Sequence, residues 1–382
     1  MCIVFFTATD HYSLIVASNR DEFLARPTTR AAWHAWDPSQ LAQQPSDTAR
    51  VLSGLDLSAG GTWLGISLPP TEHRTLRFAT LTNYTETIPP AQRPSRGNLT
   101  RAFLDPPVDA PLPSQAQSVD PLQQYLDQVE ATKADYAGFN LLVGQVAFPA
   151  PAASAASQPP SAVAGPVTRL GYISNRETPS KRARVLDDIG TAGHVRGLSN
   201  ATLEVEEGEQ EWPKVKSGAA AVERAARRAQ EEVDRRGLSA EEAEERLVEG
   251  LYEALSTSHP APIQHRAHLR HTVLVRPLYF DPSSPTPDLP PPFPPPSSSS
   301  STPPALPTST SPAELPASTT AGPRESPDAS TGAHWYATRV QTLLLVERAT
   351  GRVVLRERDA YVLDREGRPR WSGEERVFEV AL

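Results

Sequence analysis

The first apolar positions of the chain form two short runs separated by a polar turn. Cys2–Phe6 is rich in β-branched and aromatic residues, and a second run follows at Ser13–Ser18. Runs of this length and composition predict buried strands, and the polar residues Thr9–His11 between them predict a turn. We therefore expect the chain to begin with an antiparallel hairpin, with the charged residues 19–22 just past its second strand.

Three later segments have the features of helices. Apolar residues recur at i, i+3, i+4 and i+7 in residues 121–134, which predicts an amphipathic helix there. An Ala/Glu/Arg-rich segment at 217–236 has strong helix propensity. Ser239 and Glu242 have the spacing of a capping box, which predicts that a further helix begins there, with an apolar face from Leu247 to Leu255.

Runs of apolar and β-branched residues predict strands along the rest of the chain. The predicted strands span residues 139–146, 169–174, 271–280, 335–347, 352–359 and 377–382. Strands interleaved with pairs of helices indicate a layered α+β fold. The pattern alone does not give the number of layers.

Proline is unevenly distributed. The 382 residues include 40 prolines, about twice the average usage. They concentrate in a Pro/Ala/Ser segment at 149–166 and a Pro/Ser/Thr segment at 280–332, which cannot bury enough apolar surface to offset the entropy of ordering. We predict that both are disordered insertions in a single domain spanning 1–382. The second is either a species-specific loop or a ligand for an SH3 or WW domain.

Cys2 is the only cysteine of the chain and directly follows Met1. Removal of Met1 would put a thiol and a free α-amine on one residue. The reference pKa of the amine is about 7.7–8.0 and that of the thiol about 8.5, so the amine can act as a base near neutral pH. Arg20 would favour the thiolate, and Asp21 could hold the ammonium or orient the amine. The alternatives are a buried apolar cysteine and a solvated polar loop.

Charge and composition argue against several functional classes. A net charge of −8 argues against binding nucleic acid. The chain has no secretory pattern at its start and no apolar stretch approaching about 18 residues, so we expect a cytoplasmic protein without a transmembrane segment. His265, His268 and His271 could bind zinc or haem iron if they shared one stripe. The strand expected from residue 271 turns them apart, so no metal or cofactor is expected.

Nine blocks of sequence resemble, in order, those of the NRDE family, also called the transport and Golgi organisation 2 family. The first block, Ser18–Pro27, contains the tetrapeptide Asn-Arg-Asp-Glu. The others are Gly60–Gly65, Leu81–Tyr84, Ser95–Gly97, Tyr136–Gly144, Gly171–Arg176, Gly197–Asn200, Trp212–Val215 and Thr338–Thr342. One tetrapeptide would be weak support, whereas nine blocks in one order are specific.

The resemblance implies a four-layer αββα sandwich of the N-terminal nucleophile hydrolase type. It is similar to the choloylglycine and penicillin V acylases, which hydrolyse C–N bonds in linear amides. The matching site positions are Cys2, Arg20, Asp21, Asn83, Asn200 and Arg339. The resemblance implies that Asn83 donates to an oxyanion, that Asn200 places the α-amine or a water, and that Arg339 lowers the thiol pKa or binds an anionic group.

The resemblance also implies a role in Golgi organisation, protein secretion and lipid or haem homeostasis, with a cytoplasmic, Golgi or mitochondrial location. Three hypotheses stay open. The chain is a cysteine amidohydrolase or acyl-transfer enzyme, a non-catalytic carrier of an acyl chain, acyl-CoA or haem, or a secretory-pathway organiser acting through protein contacts. None requires a resident cofactor.

Overall fold

The computed structural model of the chain describes residues 2–69, 74–84, 93–106, 120–149, 165–177, 182–186, 189, 194–204, 211–263, 266–280 and 334–382. The insertions predicted at 149–166 and 280–332 lie almost wholly outside these residues, as does Met1.

Strands make up most of the regular structure. In chain order they are β1 (Ile3–Thr7), β2 (Tyr12–Phe23), β3 (Ala32–His34), β4 (Val51–Ser53), β5 (Leu64–Ser67), β6 (Thr75–Asn83), β7 (Phe139–Ala147), β8 (Val167–Ser174), β9 (Arg184–Leu186), β10 (Arg196–Leu198), β11 (Leu278–Tyr279), β12 (Trp335–Glu347), β13 (Arg352–Asp359), β14 (Tyr361–Leu363), β15 (Pro369–Trp371) and β16 (Glu375–Ala381). The helices are α1 (Gly97–Leu104), α2 (Pro121–Thr132), α3 (Pro213–Arg236) and α4 (Ala240–Leu255), with short 3₁₀ helices at Lys133–Asp135 and Arg266–His271.

The strands form two large antiparallel sheets within the described residues. The first sheet has the order β10-β1-β2-β12-β13-β16, and β11 also pairs with β12. The second sheet has the order β3-β4-β5-β6-β7-β8-β9. Strands β14 and β15 form a separate hairpin. The mixed α and β content and the antiparallel pairing confirm the predicted α+β class.

Alternation along the strands separates the apolar residues into layers. In β2, Leu14 and Val16 join a core that lies between the two sheets, whereas Ile15 and Ala17 face α3 and α4. Strand β7 of the second sheet alternates in the same way: Leu142 belongs to the core between the sheets, whereas Leu141 and Val143 pack against α1 and α2. Because successive side chains of a strand point to opposite faces, each sheet is covered on both sides.

Several predicted elements are confirmed. The hairpin forms from β1 and β2, and the strand predicted at 335–347 is β12. The helix predicted at 121–134 is α2, and the capping box of Ser239 and Glu242 makes both of its hydrogen bonds at the start of α4. Helix α3 begins four residues earlier than predicted because Pro213 occupies its first position, where the missing N–H costs nothing.

The charged segment 19–22 lies inside a strand, so the prediction that it follows the strand was wrong. Strand β2 continues to Phe23 because β12 pairs with it along this whole length. Arg20 and Asp21 are only 5% and 3% exposed. Tertiary partners on both faces of the sheet, which local charge cannot reveal, allow these residues to be buried.

The strand predicted at 271–280 was also wrong for most of its length. His271 ends a 3₁₀ helix, and only Leu278–Tyr279 are in a strand. The backbone between His271 and Leu278 does not form the continuous hydrogen bonds of a strand and instead bonds to groups on several other segments. The carbonyl of Val273 accepts from the Asn19 amide, and the N–H of Val275 donates to the Thr338 hydroxyl. The apolar run is therefore buried as irregular chain.

Gly61 provides a close contact that fixes α1 against the second sheet. A Cβ atom on Gly61 would lie 2.8 Å from the Cα of Gly97 and closer still to its carbonyl group. Gly97 is the first residue of α1, so neither backbone can shift alone. We expect Gly61→Ala to lower the free energy of unfolding by about 1–3 kcal/mol.

Gly165→Ala is the matched control, because a Cβ atom there meets nothing within 4 Å. Urea unfolding measures both variants. Equal midpoints for the two variants would show that the Gly61–Gly97 contact does not limit the packing of α1.

Candidate functional site

Strand β1 begins and β10 ends beside the same part of the first sheet, through which β2 and β12 continue. The register of these four strands gathers the predicted site residues. Ile3 pairs with Asn19 and Val4 with Leu198, which brings Cys2 opposite Arg20 on one side and next to Asn200 on the other. On the far side of β2, Thr338 pairs with Asp21. Asn83, at the end of β6, joins the group from the second sheet through a bond to Asn200.

Cys2 is half-buried at the start of β1. Its backbone carbonyl accepts a 2.8 Å hydrogen bond from the Ser199 hydroxyl, which ties the residue to the segment after β10. Burial raises the pKa of the thiol, and the Asp21 carboxylate acts in the same direction. The N-terminal ammonium, the Asp21 N–H and Arg20 oppose that rise. Burial and the Asp21 charge outweigh the opposing groups, so the pKa of the thiol is raised overall.

Arg20 is a buried cation on the face of the first sheet that looks towards the second. Its guanidinium lies 3.8 Å from the centre of the Trp63 ring, a cation–π distance. Asp56 and Glu22 lie 3.9 Å and 4.0 Å away. Burial lowers the pKa of Arg20, and the nearby carboxylates oppose this. These contacts hold a fixed positive charge beside Cys2.

Asp21 lies on the opposite face of β2, towards α3. The Thr338 hydroxyl donates a 2.6 Å hydrogen bond to Asp21 Oδ1. Burial raises the pKa of the Asp21 carboxyl, while the N-terminal ammonium and Lys214 lower it. The buried Asp21 carboxyl therefore lies in the field of neighbouring positive charges.

Asn200 and Asn83 meet directly. The Asn200 side-chain amide donates to the backbone carbonyl of Asn83, and Asn200 is only 2% exposed. Asn83 itself is exposed at the end of β6. The pair joins the two sheets at the rim of the site.

A buried hydrogen-bond network lies below this pair, centred on Asn140. The Asn140 amide donates to the carbonyls of Ser199 and Ala201 at 3.1 Å and 3.0 Å. The Tyr172 hydroxyl donates to Asn140 Oδ1 at 2.9 Å, and Thr82 donates to the Ser199 carbonyl. The segment that anchors the Cys2 carbonyl is itself held by the second sheet.

Arg339 lies at an irregularity in β12. The pairing with β2 shifts between Thr338 and Val340, so Arg339 is the extra residue of a β-bulge. Its Nη1 donates to the Arg26 carbonyl at 2.5 Å. Burial, with the charge of Arg20 next, lowers the pKa of Arg339 to about 10. The Arg339 guanidinium bonds to the backbone carbonyls of Phe23 and Arg26, and it lies close enough to Arg20 for the two charges to interact.

Sequence reasoning assigned no role to Lys214, Ser199 or Asn140. Lys214 is completely buried, and its charge interacts with Asp21 and Cys2. All three residues lie within blocks that resemble the family, which was the one sequence signal that could have identified them. A role for them needs the strand register, which local sequence does not contain.

The described residues contain no group of three or more His, Cys, Asp or Glu side chains placed to bind a metal ion. His265 lies outside the described residues, while the rings of His271 and His259 are 5.6 Å apart. Among the helices that the structure describes, none is long and apolar enough to cross a membrane.

Comparison with known proteins gives one consistent result. A family model described as "Transport and Golgi organisation 2" matches residues 1–362. The Homo sapiens "Transport and Golgi organization protein 2 homolog" is 32% identical over 213 residues, covering 53% of this chain and 58% of the human protein. The Bos taurus protein of that name is 33% identical over 213 residues, with the same coverage of both chains.

A Drosophila melanogaster relative, "Transport and Golgi organization protein 2", is 42% identical over 74 residues. That match covers 17% of this chain and 22% of the fly protein. The chain thus covers less than two thirds of the length of each of these relatives.

Proposed function

The chain belongs to the transport and Golgi organisation 2 family, and from this premise we propose that it is an acyl-transfer enzyme with Cys2 as its nucleophile. The fold is, on this proposal, a four-layer αββα sandwich of the N-terminal nucleophile hydrolase type. Support comes from the cores between the two sheets and beneath each helix pair. The substrate class is a linear amide or an acyl thioester.

The observation that carries the proposal is the convergence of polar groups at Cys2. A buried cation, Arg20, lies on one face of β2, and a buried carboxyl, Asp21, lies on the other. Asn200 and Asn83 complete the rim. Charged side chains are seldom buried without a functional or pairing reason, and functional sites are where such groups concentrate.

The proposed reaction begins after removal of Met1. The free α-amine of Cys2 takes the thiol proton, and the thiolate attacks the substrate carbonyl. The tetrahedral oxyanion accepts a hydrogen bond from the Asn83 side-chain amide and from a backbone N–H. As the C–N or C–S bond breaks, the leaving group receives the proton from the ammonium. Water then hydrolyses the thioester, releasing the acid and restoring the thiol.

The charged residues have distinct roles in this scheme. Asp21 holds the α-ammonium and orients it, and Arg20 favours the thiolate. Asn200 positions the amine or the attacking water, and Arg339 favours the thiolate or binds an anionic part of the substrate at the rim.

A specific observation favours a second candidate, a carrier that binds an acyl chain, acyl-CoA or haem without turnover. Burial and Asp21 raise the pKa of the Cys2 thiol, which disfavours the thiolate. With the thiol protonated at neutral pH, the site could bind an acyl compound without reacting with it. For the third hypothesis, an organiser acting through the proline-rich segment 280–332, nearly all of the relevant residues lie outside the described part of the chain.

At the cellular level we propose a role in Golgi organisation and protein secretion, with an associated role in lipid homeostasis. The support is membership of the family and the names of its relatives, which refer to transport and Golgi organisation. A cytoplasmic location with a Golgi-associated pool fits that role, and a mitochondrial pool is compatible with it.

Intact-mass measurement before and after brief exposure to acyl-CoA and N-acyl amide donors tests the enzyme proposal. We expect loss of Met1 and a thioester adduct on the native protein, and no adduct on Cys2→Ala. Arg20→Met should acylate at least about tenfold more slowly, because a cation that favours the thiolate is lost. Retained Met1, or an adduct that persists in Cys2→Ala, contradicts the proposal. Saturable binding of a donor without any adduct supports the carrier.

A further inference from the structure

Lys214 is an unusual residue in the first turn of α3. It follows Pro213, the first residue of the helix, and is 0% exposed. Its Nζ has no hydrogen-bond partner within the described residues. A buried ammonium without a hydrogen bond costs free energy, so its presence calls for a compensating role.

The surroundings of Lys214 identify the group with which it interacts. Nζ lies 5.5 Å from the centre of the Trp212 ring, and the Arg270 guanidinium lies 5.8 Å from the same centre. One cation–π contact leaves most of the charge uncompensated. The first turn of α3 packs on the first sheet beside the start of β1, where Val215 shares a core with Ile3 and a Cβ atom on Gly197 would lie 2.7 Å from the Val215 side chain. Asp21 lies on this face of the sheet, and its charge and that of ionised Cys2 are the opposite charges that act on Lys214. Lys214 thus approaches the candidate site from the helix side of the first sheet.

We propose that Lys214 is a positioning residue that sets the charge balance at the amino end of the chain, through Asp21. This rests on the proposed function. A second cation next to Asp21 keeps that carboxylate ionised in a buried setting and offsets its field at the α-amine and the thiol of Cys2. The amine can then lose its proton, and the thiol can ionise, at a lower pH than Asp21 alone would permit.

Within the described part of the chain, charged groups on several packed elements act on this cluster. They include Cys2 and, from β2, Arg20, Asp21 and Glu22, together with the N-terminal ammonium, which Met1 carries until it is removed. From the 3₁₀ helix beside α3 comes Arg270, which shares the Trp212 ring. Burial lowers the pKa of Lys214, and Asp21 and Cys2 raise it again. The charged form of Lys214 is therefore stabilised by Asp21 and Cys2, the two groups whose ionisation it favours.

The rate at which iodoacetamide alkylates Cys2, measured by intact mass from pH 6 to 10, tests the proposal without a substrate. The thiolate forms a C–S bond as the C–I bond breaks and iodide leaves, so the rate follows the thiolate fraction. We expect Lys214→Met to raise the midpoint of the profile by about 0.5–1 pH unit and to slow alkylation at pH 7 by about three- to tenfold. Lys216→Met, at an exposed position of the same helix, is the matched control and should leave the profile unchanged.

A second comparison shows whether the effect passes through Asp21. If it does, Lys214→Met shifts the midpoint less in an Asp21→Asn background than in the native one, because interacting sites are non-additive. Equal shifts in both backgrounds overturn the proposal, and so does an unchanged midpoint. Lys214→Gln repeats the test if the methionine variant does not fold, as judged by circular dichroism.

The alkylation assay separates this inference from the proposed function. If Lys214→Met shifts the pH profile of alkylation but no donor acylates the native protein, Lys214 sets the reactivity of Cys2 and the enzyme proposal is wrong. If a donor acylates Cys2 but Lys214→Met leaves the pH profile of alkylation unchanged, the enzyme proposal holds and the proposed role of Lys214 is wrong.

Discussion

Replacing Asn140 with alanine should lower the free energy of unfolding by about 4 kcal/mol. The Asn140 carboxamide bonds the Ser199 and Ala201 carbonyls and the Tyr172 hydroxyl. Each net hydrogen bond contributes roughly 1 kcal/mol, and a partner left unsatisfied in a buried setting costs roughly 1–3 kcal/mol more. The Ser199 carbonyl keeps its hydrogen bond from Thr82, so it is not left unsatisfied. Asn140 is fully buried, so water cannot replace the lost amide without a rearrangement.

The same substitution should also lower the reactivity of the Cys2 thiol. Ser199 donates to the Cys2 carbonyl, and Asn140 holds the Ser199 backbone from the second sheet. We therefore expect slower alkylation of Cys2 in Asn140→Ala, even under conditions where the variant is fully folded. A network that only stabilised the fold would leave that rate unchanged.

Asn83→Ala is the matched control for stability. Asn83 is an asparagine at the end of the neighbouring strand β6, with an exposed side chain, and its carbonyl remains to accept from Asn200. Urea unfolding should show a change of less than about 0.5 kcal/mol for this variant. If both variants lose the same stability, the network around Asn140 contributes no more than a surface amide.

The elements that could be predicted are those whose signals are local. The capping box at Ser239 and Glu242 satisfies backbone groups a few residues away, so sequence alone identifies it. Strand β12 has 13 residues and a long apolar run, and its predicted bounds match. Strands such as β3 and β4 have three residues each, too few for a periodic pattern to stand out.

The candidate site was predictable in its residue types but not in its geometry. The resemblance indicated Cys2, Arg20 and Asp21, yet the charged segment was placed beyond the strand that contains it. Burial of Arg20 depends on Trp63, and burial of Asp21 depends on Thr338. These partners are distant in sequence and meet only through sheet register and the contact between the sheets, neither of which a single sequence encodes locally.

A buried histidine far from Cys2 in sequence should make the protein sensitive to acid. His34 in β3 is 0% exposed, and its Nε2 lies 2.9 Å from the Ser53 hydroxyl. The Trp36 N–H donates to Nδ1, so Nδ1 is an acceptor and the neutral ring carries its proton on Nε2. Burial, with the charge of Arg101 next, lowers the pKa of His34 from 6.5 to about 4.

The sign of the pH dependence follows from that direction. Between pH 6.5 and about 4 the unfolded chain binds a proton at His34 that the folded chain does not, so the free energy of unfolding falls as the pH falls. The full difference corresponds to roughly 3 kcal/mol, lost by about pH 4. The carboxyls of Asp21 and Glu357 act in the opposite direction, because burial raises their pKa.

The contribution of His34 to this pH dependence is therefore measured by comparing variants at each pH, because other groups also titrate in the native protein. His34→Gln should be less stable than the native protein at pH 7, because Gln fits the two hydrogen bonds less well. The gap should narrow by about 3 kcal/mol as the pH is lowered towards 4, since the variant has no ring to protonate. His11→Gln, at an exposed position, should follow the native curve throughout. A gap between His34→Gln and the native protein that stays constant from pH 7 to 4.5 would mean that the His34 ring titrates alike in the folded and unfolded chains, and that its burial carries no acid sensitivity.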